Sequence, residues 1–478
     1  MKTFRVFPPV LAMMGMFLAA CSVRGGFAFT TLLSFTGTNG ICPGTSPECG
    51  LTLGADGNFY GTTSAGGSNN LGTIFRMSPD GAFTSVFSFN GTNGAKPCAA
   101  LSKGSDNNLY GTTFAGGVSN WGTIFLITTN GAFTNLFSFT GTNTPNEGAN
   151  PASALVPAGD GSFYGAAEYG GLPDASYHGH GYGTVFHLTT NGAVTVLAVF
   201  GNTNGAHPSG GLVLGKDGSF YGTTSHGGNG INGNFPGYGT IFKMTPDGTL
   251  TNLYRFTGFD DGGFPNANLA QGQDGIFYGA TEDGGASQLG TVYSITPGGA
   301  FTSLCSFPGS SVGGYPDAAL VPGGDGNFYG TTYIGGDNQF GTVFEVTTNG
   351  TLTRLVSFTG TSDPAPGANP LAPLVQGPDG NFYGTTSLGG TNGLGTIFRL
   401  SFPVPAVITA ITLTNDTVTL TWSAVAGQTY EVQYSDDLTA TDWFSLTKPR
   451  VATGSVMSAT DPGDVASSKQ RFYRVVLD

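Results

Sequence analysis

Phe59-Tyr60-Gly61-Thr62-Thr63 is followed, one loop later, by Gly72-Thr73-Ile74-Phe75, and both strings come back along the chain. The tyrosine of the first returns at Tyr110, Tyr164, Tyr221, Tyr278, Tyr329 and Tyr383. The interval of roughly 50 to 57 residues is the length of a four-stranded propeller blade. Each copy carries two further segments. One is P-x-x-x-L, as in Pro151 to Leu155. The other is an alternating aromatic run, as in Phe83 to Phe89, Phe133 to Phe139 and Leu352 to Phe358. All four segments are short, rich in Thr, Phe, Tyr, Val and Ile, and bounded by Gly, which reads as four strands per copy.

The turns fix the topology. Asp56-Gly57, Asp217-Gly218 and Asp379-Gly380 join first to second segments, and Asn130-Gly131, Asp247-Gly248 and Asn349-Gly350 join third to fourth. Such pairs tolerate the positive φ of a tight hairpin. The other two connections are longer. Connections in a meander alternate between the ends of a sheet, so both tight turns fall on one face of the disc and both long connections on the other. The last copy stops at Phe402, after its third segment, while Phe29 to Phe35 supplies an unclaimed fourth segment at the front. That strand is expected to complete the last blade and pair edges that would otherwise invite aggregation. Residues 27–402 thus read as an all-β, seven-bladed β-propeller closed by an N-terminal strand.

Composition agrees. Glycine is abundant, at 81 of 478 residues, but aromatics reach 12%, too many for a disordered linker. The formal net charge is -13, and the 16 Lys and Arg form no cluster that could track a phosphate backbone, so nucleic acid is not an expected partner.

The recurring D-G-x-F-Y-G-T-T…G-G…G-T-[IV]-F…D/N-G…L-x-S-F pattern resembles the tandem repeat of Gloeobacter and Verrucomicrobia, the GloVer repeat, over residues 27 to 402. The resemblance implies an exported protein carrying one of several alternative surface anchors. It implies no catalytic residues.

After Pro403 and Pro405 glycine thins out. Thr417 to Trp422, Tyr430 to Tyr434 and Phe472 to Leu477 alternate with period two. Residues 404–478 resemble a small fibronectin type III-like β-sandwich with Trp422 in its core. At the other end, Lys2 and Arg5 precede a largely apolar run from Val6 to Phe17, interrupted by Pro8 and Pro9. Leu18-Ala19-Ala20-Cys21 resembles a lipobox. The resemblance implies that residues 1–20 are a leader, that Cys21 is lipidated, and that the membrane is touched only through this anchor. An ordinary cleaved signal is the alternative. Cys42 and Cys49 bracket a short Pro/Gly loop, and export would permit a disulfide between them.

Candidate chemistry is sparse. All five histidines fall between residues 178 and 226. His178 and His180 lie in the long loop from Glu168 to Gly183, His207 in the connection into the fourth blade, and His226 at the head of that blade's long loop. Parity places these four on one face, while His187 belongs to a strand. Imidazoles near Asp174 or Glu168 could bind a metal or move protons; solvated loop histidines are the plainer reading. Tyr177 and Phe235 have no counterparts in other copies and could stack on sugar rings. Tyr182 and Tyr238 occupy a column held elsewhere by Leu71, Trp121, Leu289, Phe340 and Leu394, which favours packing. The tyrosine of F-Y-G is read as structural because every copy has it. No metal-ligand spacing, nucleotide fingerprint or nucleophile elbow occurs, and no cofactor is expected.

The reading that follows is an exported, surface-displayed module presenting its long-loop face, around His178, His180, His207, His226, Tyr177, Phe235 and Asp174, to an extracellular glycan or surface protein. A carbohydrate-active lyase or hydrolase using the third and fourth blades is the alternative, and a structural envelope protein is another.

Overall fold

The computed structural model describes residues 27–141, 148–172, 180–228, 237–309, 311–402, 406–414, 417–424, 429–437, 442–461 and 471–477, and the backbone of Phe4–Val6. The chain divides into two compact units: Phe29–Leu400, and Met1–Ala28 with Ser401–Asp478.

Seven four-stranded antiparallel sheets make the first unit. The first blade consists of Thr52–Leu53, Phe59–Thr63, Thr73–Met77 and Phe83–Ser88, in chain order. The second strand is buried on both sides and the fourth is half-exposed. This gradient explains why F-Y-G-T-T is the most constant string. Its glycine is required sterically, since a Cβ on Gly61 would lie 2.4 Å from Cζ of Phe75, which pairs with Gly61 across the sheet. The phenyl ring occupies that space instead. The tyrosine serves through its polar end. Tyr60 donates its hydroxyl to the turn carboxylate of Asp56 at 2.9 Å. The same latch joins Tyr110 to Asp106, Tyr221 to Asp217, Tyr278 to Asp274, Tyr329 to Asp325 and Tyr383 to Asp379. In the third blade Asp160 binds Ser162, and the Tyr164 ring lies 4.9 Å from that of His187, on strand Thr184–Leu188.

The ring closes as expected. Ala28–Ser34 is the outer strand of the last blade, beside Thr396–Ser401. Phe35 N–H donates to the Gly395 carbonyl at 3.0 Å. Phe29 stacks on Phe398 at 5.3 Å, and Phe35 is fully buried.

The P-x-x-x-L segments form the innermost circle. Ser102 Oγ donates to the Leu155 carbonyl and Thr331 Oγ1 to that of Ala372, so neighbouring blades are stitched side to side. Period-two alternation buries the second and fourth residues after each proline position towards the blades. A Cβ on Gly50, the third, would meet Pro373 at 3.0 Å and Ala100 at 3.6 Å, its counterparts in the flanking blades. The first residue of each segment shares that inward face, nearer the long connections.

Cys42 and Cys49 are not linked: both are buried free thiols. Cys42 packs with Phe35, Leu51 and Tyr383 under the closing strand. Alternation instead turns Cys49 to the second blade, where Sγ donates to the Pro97 carbonyl at 3.4 Å. The short spacing suggested a bridge, but the two cysteines stand on segments with different neighbours.

The second unit holds two sheets. One comprises Ile408–Thr414, Thr417–Ser423 and Val456–Asp461; the other Thr429–Ser435, Phe444–Ser445, Arg450–Val451 and Arg471–Leu477. Val418, Leu420 and Trp422 from the first pack with Tyr430, Val432 and Tyr473 from the second, giving a small β-sandwich with Trp422 in its core. Phe4–Val6, inside the expected leader, pairs antiparallel with Arg471–Tyr473 at the sheet edge, a pairing that removal of residues 1–20 would abolish. Among the described residues no helix is long and apolar enough to cross a membrane.

Candidate functional site

The long connections are ordered by backbone bonds. In each blade the incoming connection pairs with the start of the second-to-third loop, as in Thr45↔Ala65, Ala149↔Tyr169, Ala206↔His226 and Gly263↔Asp283. At this point Ser46, Lys96, Asn150, His207, Phe264, Tyr315 and Asn369 all have left-handed backbones, with φ between 52 and 56°. Each donates its N–H to the preceding blade; His207 reaches the Tyr182 carbonyl and Phe264 that of Tyr238, both at 2.8 Å. Left-handed φ is costly for bulky residues, and the interblade bond offsets part of that cost. The backbone is constant while the side chain changes from blade to blade.

On this frame stands a file of rings. Trp121 lies 5.6 Å from His180, His180 5.8 Å from Tyr169, and Tyr169 5.0 Å from His207. His207 lies 5.4 Å from His226, His226 5.2 Å from Phe264, and Phe264 5.6 Å from Tyr238. The file crosses the second to the fifth blade. His207 is buried, whereas His226 is partly exposed. Burial, then the neighbouring His207, pushes the His226 imidazole down to about 4, so it is neutral at physiological pH. Its Nδ1 shares a hydrogen bond with Ser225 Oγ at 2.9 Å.

Carboxylates occupy the same face, nearer the axis. Glu48 and Asp317 follow the inner prolines, and Glu168 and Glu282 follow the second strands. Asn266 donates to Glu282 Oε2 at 2.6 Å. Burial raises the affinity of Glu48, Glu168 and Glu282 for protons. Asp317 is pushed up to about 7 by burial and then by Glu282 and Asp283, against a hydrogen bond from the Asn266 side chain that lowers it. Its Oδ1 is buried and accepts no hydrogen bond among the described residues. Cys98, also beside an inner proline, is pushed up to about 12 by burial and the charges of Glu168 and Glu48. One carboxyl that titrates near neutrality beside another held as an acceptor can bind a cation or exchange a proton. No three His, Cys, Asp or Glu side chains converge as a metal-ligand set among the described residues.

Parity therefore brings together three of the expected residues, His180, His207 and His226. His178, Tyr177, Asp174, Phe235 and Cys21 lie outside the described residues. Trp121 and Tyr238 also pack as their column suggested: a Cβ on Gly141 would meet the Trp121 ring at 2.5 Å, and one on Gly258 the Tyr238 ring at 2.3 Å. The tight-turn face is not featureless. A depression of about 390 Å3 lies among Lys216, Gln271, Gln273, Pro322 and Gln376. The Lys216 ammonium there already donates to the Gly272 and Gln273 carbonyls, so the depression offers less chemistry than the opposite face.

The pattern that defines the Gloeobacter/Verrucomicrobia repeat matches residues 21–175, 99–235 and 231–435. The chain belongs to the Gloeobacter/Verrucomicrobia repeat family. No curated protein matches it. Among solved structures it is similar to the extracellular domain of a protein described as a one-component system from B. thetaiotaomicron, at 10% identity and a TM-score of 0.48. That likeness covers 91% of this chain and 57% of the other. It is also similar to a luciferin-regenerating enzyme, at 11% identity and a TM-score of 0.39, covering 79% and 96%. A glycoside hydrolase family 43 arabinoxylan arabinofuranohydrolase from Bacillus subtilis matches at 14% identity and a TM-score of 0.31, covering 91% and 92%. These likenesses carry no functional argument.

Sequence reasoning missed Tyr169, Phe264, Glu48, Glu282, Asp283 and Asp317. The signal was present in the Gloeobacter/Verrucomicrobia repeat itself. The residue after each inner proline runs Glu48, Cys98, Ala152, Ser209, Asn266, Asp317, Leu371. Such a variable column inside a constant frame marks a position freed from packing.

Proposed function

We propose that this repeat protein is an exported binding module whose recognition surface is the long-connection face of the propeller. The observation that carries the proposal is the ring file from Trp121 to Tyr238, laid over four blades and bordered by partly buried carboxylates. A rigid frame with variable side chains suits recognition, since binding costs little ordering. The lipobox-like Leu18 to Cys21 and the fibronectin type III-like segment 404–478 support display at a cell surface, with the anchor on Cys21. His226 is held neutral, which suits hydrogen bonding better than ion pairing.

The test compares two faces. The soluble protein is screened on arrays of extracellular polysaccharides and of peptides, and retained ligands are measured by titration. Substitutions at His180, Tyr169 and His226 are expected to weaken binding at least tenfold, while Lys216→Ala and Gln273→Ala leave it unchanged. The reverse pattern overturns the assignment. Turnover of a retained polysaccharide, lost in Asp317→Asn, would favour the enzymatic reading instead.

A further inference from the structure

The propeller exposes few large apolar side chains, and they are not evenly placed. Ile41, Val118, Leu172, Phe259, Phe340 and Leu388 are exposed, Ile41 at 87% and Val118 at 89%. All six stand on long connections: Ile41 and Phe259 on blade-to-blade segments, the others on second-to-third loops. On the other side only Leu214 is comparable among the described residues. Single exposed apolar residues are ordinary, but six on one face against one on the other give the long-connection face the larger apolar area.

The charge inside that apolar rim is one-sided. Glu48, Glu168, Glu282, Asp283 and Asp317 stand nearer the axis, and Asp260 adjoins Phe259. Cations nearby are few or spent. Lys96 acts on Glu48, and Arg354 is held by Asp337 at 2.7 Å and by the Ser311 carbonyl at 2.9 Å. The buried Oδ1 of Asp317 has no donor among the described residues. A surface with an apolar rim and an excess of carboxyl groups at its centre is complementary to an apolar surface that bears a cation. An anionic polymer would meet repulsion there, reinforced by the chain's formal net charge of -13.

From this complementarity we infer that the partner of the long-connection face is a polypeptide, one that places a lysine or arginine in the acidic mouth and apolar side chains on the rim. The inference rests on the binding-module reading and adds the partner class. A neutral glycan could stack on the ring file and donate its hydroxyls to the carboxylates, but it carries no charge to balance theirs. A cationic side chain uses both features, donating to the buried Oδ1 of Asp317 while its flanking residues cover Phe259 and Leu172.

The probes are fluorescein-labelled peptides of equal apolar content carrying basic, neutral or acidic residues, titrated against the full-length soluble protein and read by anisotropy. The basic peptide is expected to bind roughly tenfold tighter than the acidic one at low salt, with the difference closing at about 0.5 M salt. The triple variant Glu168→Gln, Glu282→Gln, Asp317→Asn should remove the preference. The surface variants Phe259→Ser and Leu172→Ser should weaken all three peptides alike, and circular dichroism verifies that each variant folds. Equal binding of the three peptides, absence of peptide binding, or a preference unchanged in the triple variant overturns the inference. Binding of neutral xylan but no peptide, still sensitive to Tyr169→Ala, overturns the partner class and leaves the binding face standing. Binding sensitive only to Lys216→Ala overturns both.

Discussion

The imidazoles of His207 and His226 meet edge to face, with centroids 5.4 Å apart and planes at 82°. They are 19 positions apart in sequence, on the connection into the fourth blade and on the loop after its second strand. The bridge Ala206↔His226 draws these backbones together. Two potential cations at this distance, one of them buried, cannot both carry charge cheaply.

His226 should therefore titrate late. Its folded value of about 4 lies below the ordinary 6.5. Between these values the unfolded chain binds the extra proton, so this group's contribution to stability is full above about pH 6.5 and erodes as pH falls towards 4. NMR of the ring protons should show His226 unprotonated at pH 6. A midpoint near 6.5 would contradict the packing described.

Asp317 should act with the opposite sign. Its folded value of about 7 exceeds the ordinary 3.8, so the native state holds a proton that the unfolded chain has lost. Stability from this group is greatest near pH 4 and declines as pH rises to 7. Asp317→Asn keeps the neutral form at every pH. The variant should melt like the parent at pH 4 and at a higher temperature at pH 8. Equal melting at both would show that Asp317 is not desolvated.

One substitution should have opposite effects within the fifth blade. Tyr293 stands where other copies have Phe75, Phe125, Phe186, Phe242, Phe344 or Phe398, and its buried hydroxyl has no partner among the described residues. Tyr293→Phe should stabilise by about 1–2 kcal/mol, the cost of an unsatisfied buried hydroxyl. Tyr278 donates to Asp274 at 2.9 Å, so Tyr278→Phe should cost about 1 kcal/mol. Urea melts of both variants test the pair; a shift of the same sign in both contradicts the bonding described.

Closure should dominate the stability of the ring. Phe35→Ala empties a fully buried site between the last and first blades and should cost about 3–5 kcal/mol. Thr30→Ala on the same strand should cost far less. Comparable losses from the two would mean that the strand adds edge pairing but little core.

Repetition made the propeller legible. Seven copies of Y-G, six of them F-Y-G after an Asp-Gly turn and one Leu109-Tyr110-Gly111 after Asp106-Asn107, encode strand length, blade number and the parity of the two faces, because these depend on local turn chemistry and period-two alternation. The displaced fourth segment at Phe29 to Phe35 likewise encodes closure, since an incomplete last blade leaves an edge that this matching segment can pair. What the linear order did not contain was contact between copies. The neighbours of Cys49 are set by the direction in which the inner segment turns, which cancelled the expected bridge to Cys42. The ring file joins Trp121 to Tyr238 through loops of four blades, and the carboxyl of Asp317 meets Glu282 of the preceding blade. Such meetings arise when the disc closes and brings equivalent positions around one axis, so only the tertiary structure could decide which side chains share a site.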